Sequence, residues 1–172
     1  MSVLYPMPLK AAFKDDFGGR LDFLPAPDLT SLADDLIDRH ERLASLPQIT
    51  IHYLWKREGG GRNGKATYGK CQKPSGLLAH YSRADFVIWL AADRVQGSNM
   101  TSQQVEALLL HEMLHIGRDP ETDAWVVVGH DVEEFAYVIQ SYGLWNQDLE
   151  RFRQIALFEC VDRTSGEITT PA

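Results

Sequence analysis

The 172-residue sequence predicts a single α+β domain, and three observations carry that reading. Residues 101–116 repeat apolar side chains at helical spacing behind a strong N-terminal cap. Residues 48–56 alternate, and residues 84–92 form an almost unbroken apolar run of strand length. The length suits one domain, and 44% apolar residues suffice for a sizeable core.

Taken in order, residues 1–28 are rich in Pro and Gly and read as an extension that wraps the surface or stays mobile. Thr30 or Ser31 caps a helix running to about Leu46, with Leu32, Leu36, Ile37 and Leu43 on one side and Pro47 ending it. His40 on that helix is expected to be an ordinary, partly exposed residue. Ile49, Ile51, Tyr53 and Trp55 mark the first strand, with His52 on its opposite face. Glu58 to Gly64 is a glycine-rich turn. It is not a phosphate loop, because it lacks the Gly-Lys-Ser/Thr ending and a following helix. Lys65 to Gln72 reads as the return strand, and Ser75 to Ser82 as a short helix with His80 near its end. Residues 84–92 are the clearest strand and lead to the helix over 101–116, where Thr101 with Gln104 forms a capping box and Gly117 is expected as the left-handed residue past the end. A turn at Asp119-Pro120, a strand over Ala124 to Val128, a helix over Asp131 to Tyr142 and a helical stretch over Leu144 to Phe158 complete the domain. The expected organisation is an extension at 1–28, the domain at 29–160 and a flexible tail at 161–172, with no internal repeat.

The helix over 101–116 carries His111-Glu112-Met113-Leu114-His115, an HExxH motif. Residues four apart stack on one helix face, so the two imidazoles supply half of a tetrahedral zinc site. Glu112 projects about 100° away, beside the metal, where it can take a proton from an attacking water. Such a pentapeptide arises by chance in about 1% of chains with this histidine content, so context decides. Here it follows three consecutive leucines in a well-capped helix, a setting that favours a zinc-dependent hydrolase with peptide bonds as the leading substrate.

A catalytic zinc site needs a third protein ligand and an open fourth position. The candidates lie in Gly129-His130-Asp131-Val132-Glu133-Glu134-Phe135. Asp131 reads as the N-cap of the next helix with Glu134 at N3, which leaves His130 at its mouth, able to reach the metal. His130 is favoured as ligand; Glu133 and Glu134 are the alternatives, as helical glutamates that either ligate or simply suit the helix dipole. The metzincin pattern is excluded, since Arg118 and Glu121 stand where it requires Gly and His. A side-chain donor often helps to stabilise the oxyanion; Tyr137 and Tyr142 are nearby in sequence, neither is assigned that role, and packing is their default.

The segment Ala107 to Asp119, followed by His130-Asp131-Val132-Glu133-Glu134-Phe135, resembles the putative phage metallopeptidase family, as do Gly64 to Lys73 and Ala84 to Leu90 upstream. The resemblance spans about residues 30–145. It implies a minimal zincin-like domain: a small twisted, mostly antiparallel or mixed sheet packed on the HExxH helix and flanking helices. It also implies zinc held by His111, His115 and His130, Glu112 as base, and a phage or prophage origin with action in the bacterial host cytoplasm. The element from His130 to Phe135 is also similar to the third-ligand helix of SprT-type proteases. Asp131 replaces a glycine there and no zinc-ribbon cysteines follow, so DNA-linked proteolysis is only a distant analogy. In zincin-like folds a strand edge beside the site pairs with extended substrate, and residues 84–92 are assigned that role, with a strand whose edge is covered as the alternative.

Composition narrows the alternatives. No stretch approaches 18 apolar residues, and residues 1–8 lack the features of a signal peptide. Cys71 and Cys160 are the only cysteines, which fits a reducing compartment and no thiolate zinc site. A net charge of −7 weighs against a nucleic-acid partner and leaves a peptide or protein substrate as the expected one. Lys56, Arg57, Arg62, Lys65, Lys70 and Lys73 form a local basic stretch, read first as a solvated hairpin and second as a contact for an acidic partner or nucleic acid. Two rival functions stand beside the peptidase: a host-takeover or anti-defence binding protein on the same fold without proteolysis, and a zinc amidase of the cell wall. The oligomeric state is not legible.

Overall fold

The computed structural model describes residues 4–62, 65–130 and 136–145. Its centre is a four-stranded mixed sheet in the order β1 (Phe23–Pro25), β2 (Ile51–Lys56), β6 (Phe86–Ala91) and β5 (Gly69–Gln72). The β1–β2 and β6–β5 pairs are antiparallel and β2–β6 is parallel. Between β2 and β5 the chain makes a small hairpin, β3 (Gly61–Arg62) and β4 (Lys65–Ala66), and the short helix α2 (Gly76–Ser82) links β5 to β6. All six residues of β6 are buried, as an apolar run predicts for a strand with neighbours on both sides and cover on both faces.

Helix α1 (Pro27–Arg39) and helix α4 (Ser102–Leu114) pack on each other and on one face of this sheet. Leu29, Ala33 and Leu36 of α1 meet Leu109, Leu110 and Met113 of α4 and Trp55, Ile88 and Leu90 of the sheet in one apolar core. The helix α3 (Ala92–Gly97) leads into α4, whose N-terminus carries the expected capping box: Thr101 Oγ1 accepts from Gln104 N at 3.3 Å and Gln104 Oε1 accepts from Thr101 N at 2.9 Å. A second, two-stranded sheet of β7 (Ile116–Arg118) and β8 (Trp125–Val127) follows α4 directly, and α5 (Ala136–Tyr142) packs back on α4. No helix among the described residues is long and apolar enough to cross a membrane.

Several expectations are corrected. The first helix begins at Pro27, where proline's fixed φ suits the first helical turn, and ends at Arg39 rather than near Leu46. Thr30 and Ser31 lie inside it, their hydroxyls donating to the carbonyls of Ala26 and Pro27 at 3.1 Å. His40 takes extended backbone and is buried against the rings of Tyr137 and Tyr142, so a tertiary contact ends the helix that propensity alone would continue. The return strand divides into β4 and β5, and β5 pairs with β6 instead of β2. Residues before 28 do more than wrap the surface: Phe13 is fully buried and β1 extends the sheet, with Pro25 tolerated on an edge strand. Within the basic stretch, Lys56 stacks on Trp89 at 4.3 Å and Arg57 pairs with Glu58 at 2.9 Å, while Lys70 and Lys73 are exposed. Of the expected helix over Asp131 to Tyr142, residues 131–135 lie outside the described residues, as do the stretch from 146 and the tail.

Candidate metal centre and active site

Helix α4 brings His111 and His115 to one side of its last turn, half exposed, while Glu112 between them turns inward and is 5% exposed. The helix stops at Leu114 and the chain runs at once into β7. Gly117 therefore lies in a strand and not in the expected left-handed position; its requirement for glycine is close approach, since a Cβ there would lie 2.7 Å from Val128 Cγ1. That tight exit folds the β7–β8 hairpin back along His115. Val128 N donates to the His115 carbonyl at 2.8 Å, and Val128 O lies 2.7 Å from His115 Nδ1. A carbonyl only accepts, so Nδ1 carries the proton and Nε2 keeps its lone pair.

Two residues further on, the chain delivers His130. Its Nε2 lies 3.1 Å from His111 Nε2 and 3.0 Å from His115 Nε2, so three imidazoles separated by up to 19 positions converge on one point. Nitrogens bound about 2.0–2.1 Å from a tetrahedral ion sit roughly 3.3 Å apart, close to this spacing. The three histidines can thus hold a metal ion, and among the described residues the donor set is all imidazole, which divalent transition metals accept. Glu133 and Glu134, the alternative ligands, lie outside the described residues.

The histidines and Glu112 open into a cleft of about 270 Å³. One wall is β5 through Gly69, Lys70 and Cys71; the other is the β7–β8 hairpin through Val127. The walls are joined by Lys73, whose Nζ donates to the Trp125 carbonyl at 2.5 Å, while Arg118 stacks on the Trp125 ring at 4.2 Å. Burial, and then the nearby Glu112 carboxylate, push the Cys71 thiol up to about 12, so it stays protonated and inert at neutral pH.

The strand beside the site is β5. The strand over 84–92, expected to offer its edge to substrate, is interior, with β2 and β5 on its two sides. Tyr68 O accepts from Ala91 N at 2.7 Å, which makes that pair hydrogen-bonded; alternation then turns the main-chain groups of Gly69 and Cys71 away from β6, toward the edge that has no strand neighbour among the described residues. Tyr137 and Tyr142 are engaged elsewhere: Tyr137 Oη contacts His40 Nδ1 and Tyr142 Oη donates to Glu106, and burial, then this partner, push the Tyr142 phenol up. His52 and His80 do not join the cluster. Gly69, Cys71 and Val128 were not identified as site residues from the sequence. The one available signal was Gly69, since a glycine inside a strand marks close backbone approach.

No curated protein and no solved structure shows detectable similarity to this chain. A family model described as putative phage metallopeptidase matches residues 21–153. That match covers the whole sheet, both core helices and all three histidines, and the chain belongs to the putative phage metallopeptidase family.

Proposed function

We propose that the protein is a zinc-dependent peptidase that cleaves an extended peptide segment lying along β5, inside the bacterial host of a phage or prophage. The observation that carries this reading is the convergence of His111, His115 and His130 Nε2 beside the buried Glu112 and next to β5, the outermost strand of the sheet among the described residues. A zinc ion held by the three imidazoles would supply a Lewis acid that acidifies water and polarises the scissile carbonyl. Glu112 would accept the proton of the attacking water and return it to the departing amine nitrogen. The outward main-chain groups of Gly69 and Cys71 would pair with the substrate backbone, fixing its carbonyl over the three histidines. His115 would be held in its ligating tautomer by Val128 O.

The test is metal analysis of the purified protein followed by hydrolysis of a mixed peptide library. One zinc per chain, lost in His111→Ala and His130→Ala but kept in Glu112→Gln, is expected, with cleavage present in the wild type and absent in Glu112→Gln. Zinc retained in His130→Ala would move the third ligand to Glu133 or Glu134. Zinc binding without hydrolysis of any peptide or cell-wall amide would favour a binding protein built on the same fold.

A further inference from the structure

Gly69 is the point where the substrate-side strand touches the proposed base. Its φ is not in the left-handed region, so its backbone conformation alone does not require glycine. What does is space: a Cβ built there would lie 2.7 Å from Glu112 Oε1, 3.0 Å from Glu112 Cγ and 2.9 Å from Leu90 Cδ2. Leu90 is its cross-strand partner and fully buried, so it has nowhere to retreat. The end of the Glu112 side chain, which borders the cleft, is the part that can move. A glycine in a strand carries a cost in chain entropy and lost packing, and here the space that a side chain would fill is taken by a buried carboxylate.

We propose, on the hydrolase reading above, that Gly69 is a positioning residue for the reaction: its missing side chain lets the Glu112 carboxylate lie against the strand that binds substrate, and any larger residue at 69 displaces it. The main-chain edge of β5 survives the change, so substrate binding is kept while proton transfer suffers. A displacement of about 1 Å in a reacting group lowers the rate by roughly 10²-fold.

The experiment compares wild type, Gly69→Ala and, as a control on the same strand with its side chain on the opposite face, Gln72→Ala. Expected for Gly69→Ala are a crystal structure with the Glu112 carboxylate moved away from β5, one zinc per chain, kcat lower by roughly 10²-fold and KM within about threefold. Gln72→Ala keeps wild-type kcat. An unmoved Glu112 in the Gly69→Ala crystal structure, or a fully active Gly69→Ala, overturns the proposal. A wild type that binds zinc but cleaves nothing overturns the hydrolase reading instead, and the crystal structures then still decide whether Gly69 sets the position of Glu112.

Discussion

Substituting Gly117 by alanine should weaken metal binding without touching a ligand. A Cβ at this position meets Val128 Cγ1 at 2.7 Å and Cγ2 at 3.4 Å. Carbon atoms pack at about 3.5–4.0 Å, so Val128 must withdraw by about 1 Å. Val128 is the residue whose carbonyl accepts the His115 Nδ1 proton at 2.7 Å, and whose N–H returns to the His115 carbonyl at 2.8 Å. Disturbing such a partner of a metal-bound histidine typically lowers affinity 10–100-fold, which corresponds to about 1.4–2.7 kcal/mol. A competing chromophoric chelator reads that loss directly. The same difference appears in the zinc-induced rise of Tm at fixed zinc, which should shrink by roughly 3–11 °C. Because Gly117 is not in the left-handed region, alanine adds no backbone strain, and the metal-free fold should lose only about 1–3 kcal/mol from overpacking. A folded Gly117→Ala protein with wild-type zinc affinity would refute the link from β7 through Val128 to His115.

Three further outcomes are expected. Glu112→Gln should keep one zinc per chain by elemental analysis and lose about 10²–10⁴ in kcat on any peptide the wild type cleaves, the range for a lost general base. Asp28→Ala should cost about 1–3 kcal/mol in urea unfolding, because Asp28 takes the Nε1–H of the fully buried Trp55 at 3.0–3.1 Å and the Tyr5 hydroxyl at 3.1 Å. His40 has its pKa lowered, first by burial and then by the Arg39 charge, against a smaller opposing effect of Glu106. The unfolded chain therefore binds the His40 proton more readily than the fold does, so this contribution to stability is complete above the unfolded value near 6.5 and is lost as pH falls from there toward the folded value. His40→Phe, measured with zinc bound so that His111, His115 and His130 are held, should flatten the stability profile in that window relative to wild type; an unchanged slope would contradict the assignment.

What the sequence revealed and what it hid divide along the range of the interactions. The helix α4 was legible because everything that defines it is local: the Thr101–Gln104 capping box, the apolar period and the four-residue spacing of His111 and His115. β6 was legible because burial on both faces leaves an unbroken apolar run. Strand pairing was not, since β2 joins β6 in parallel across the whole of β3, β4, β5 and α2, and no residue of β2 carries that information. The edge strand was misassigned for this reason, and with it the wall of the cleft. Gly117 was read as a helix stop because a glycine just past an apolar period usually is one; its contact with Val128, eleven positions on, is visible only once the hairpin closes. The burial of His40 is invisible locally because the rings that cover it, Tyr137 and Tyr142, come about a hundred residues later.

The order of assembly follows from the same division. A helix delivers two imidazoles and one carboxylate as soon as it forms, but two imidazoles alone hold a metal weakly and leave the carboxylate with nothing to act on. The third imidazole and the tautomer of the second both come from the β7–β8 hairpin and the residues just after it, through His130 and Val128 O. That hairpin is fastened to the body by Arg118, which reaches Gln48 Oε1 at 3.0 Å and stacks on Trp125, and by Lys73, which reaches the Trp125 carbonyl. Lys73 lies just past β5, so one side chain ties the strand that would carry substrate to the hairpin that completes the histidine cluster. The distance between the cleft walls and the geometry of the three histidines are therefore set by the same contacts. A peptide that widened the cleft would also pull on the hairpin that supplies Val128 O and His130, which favours thin, extended segments over folded surfaces as occupants of the β5 edge.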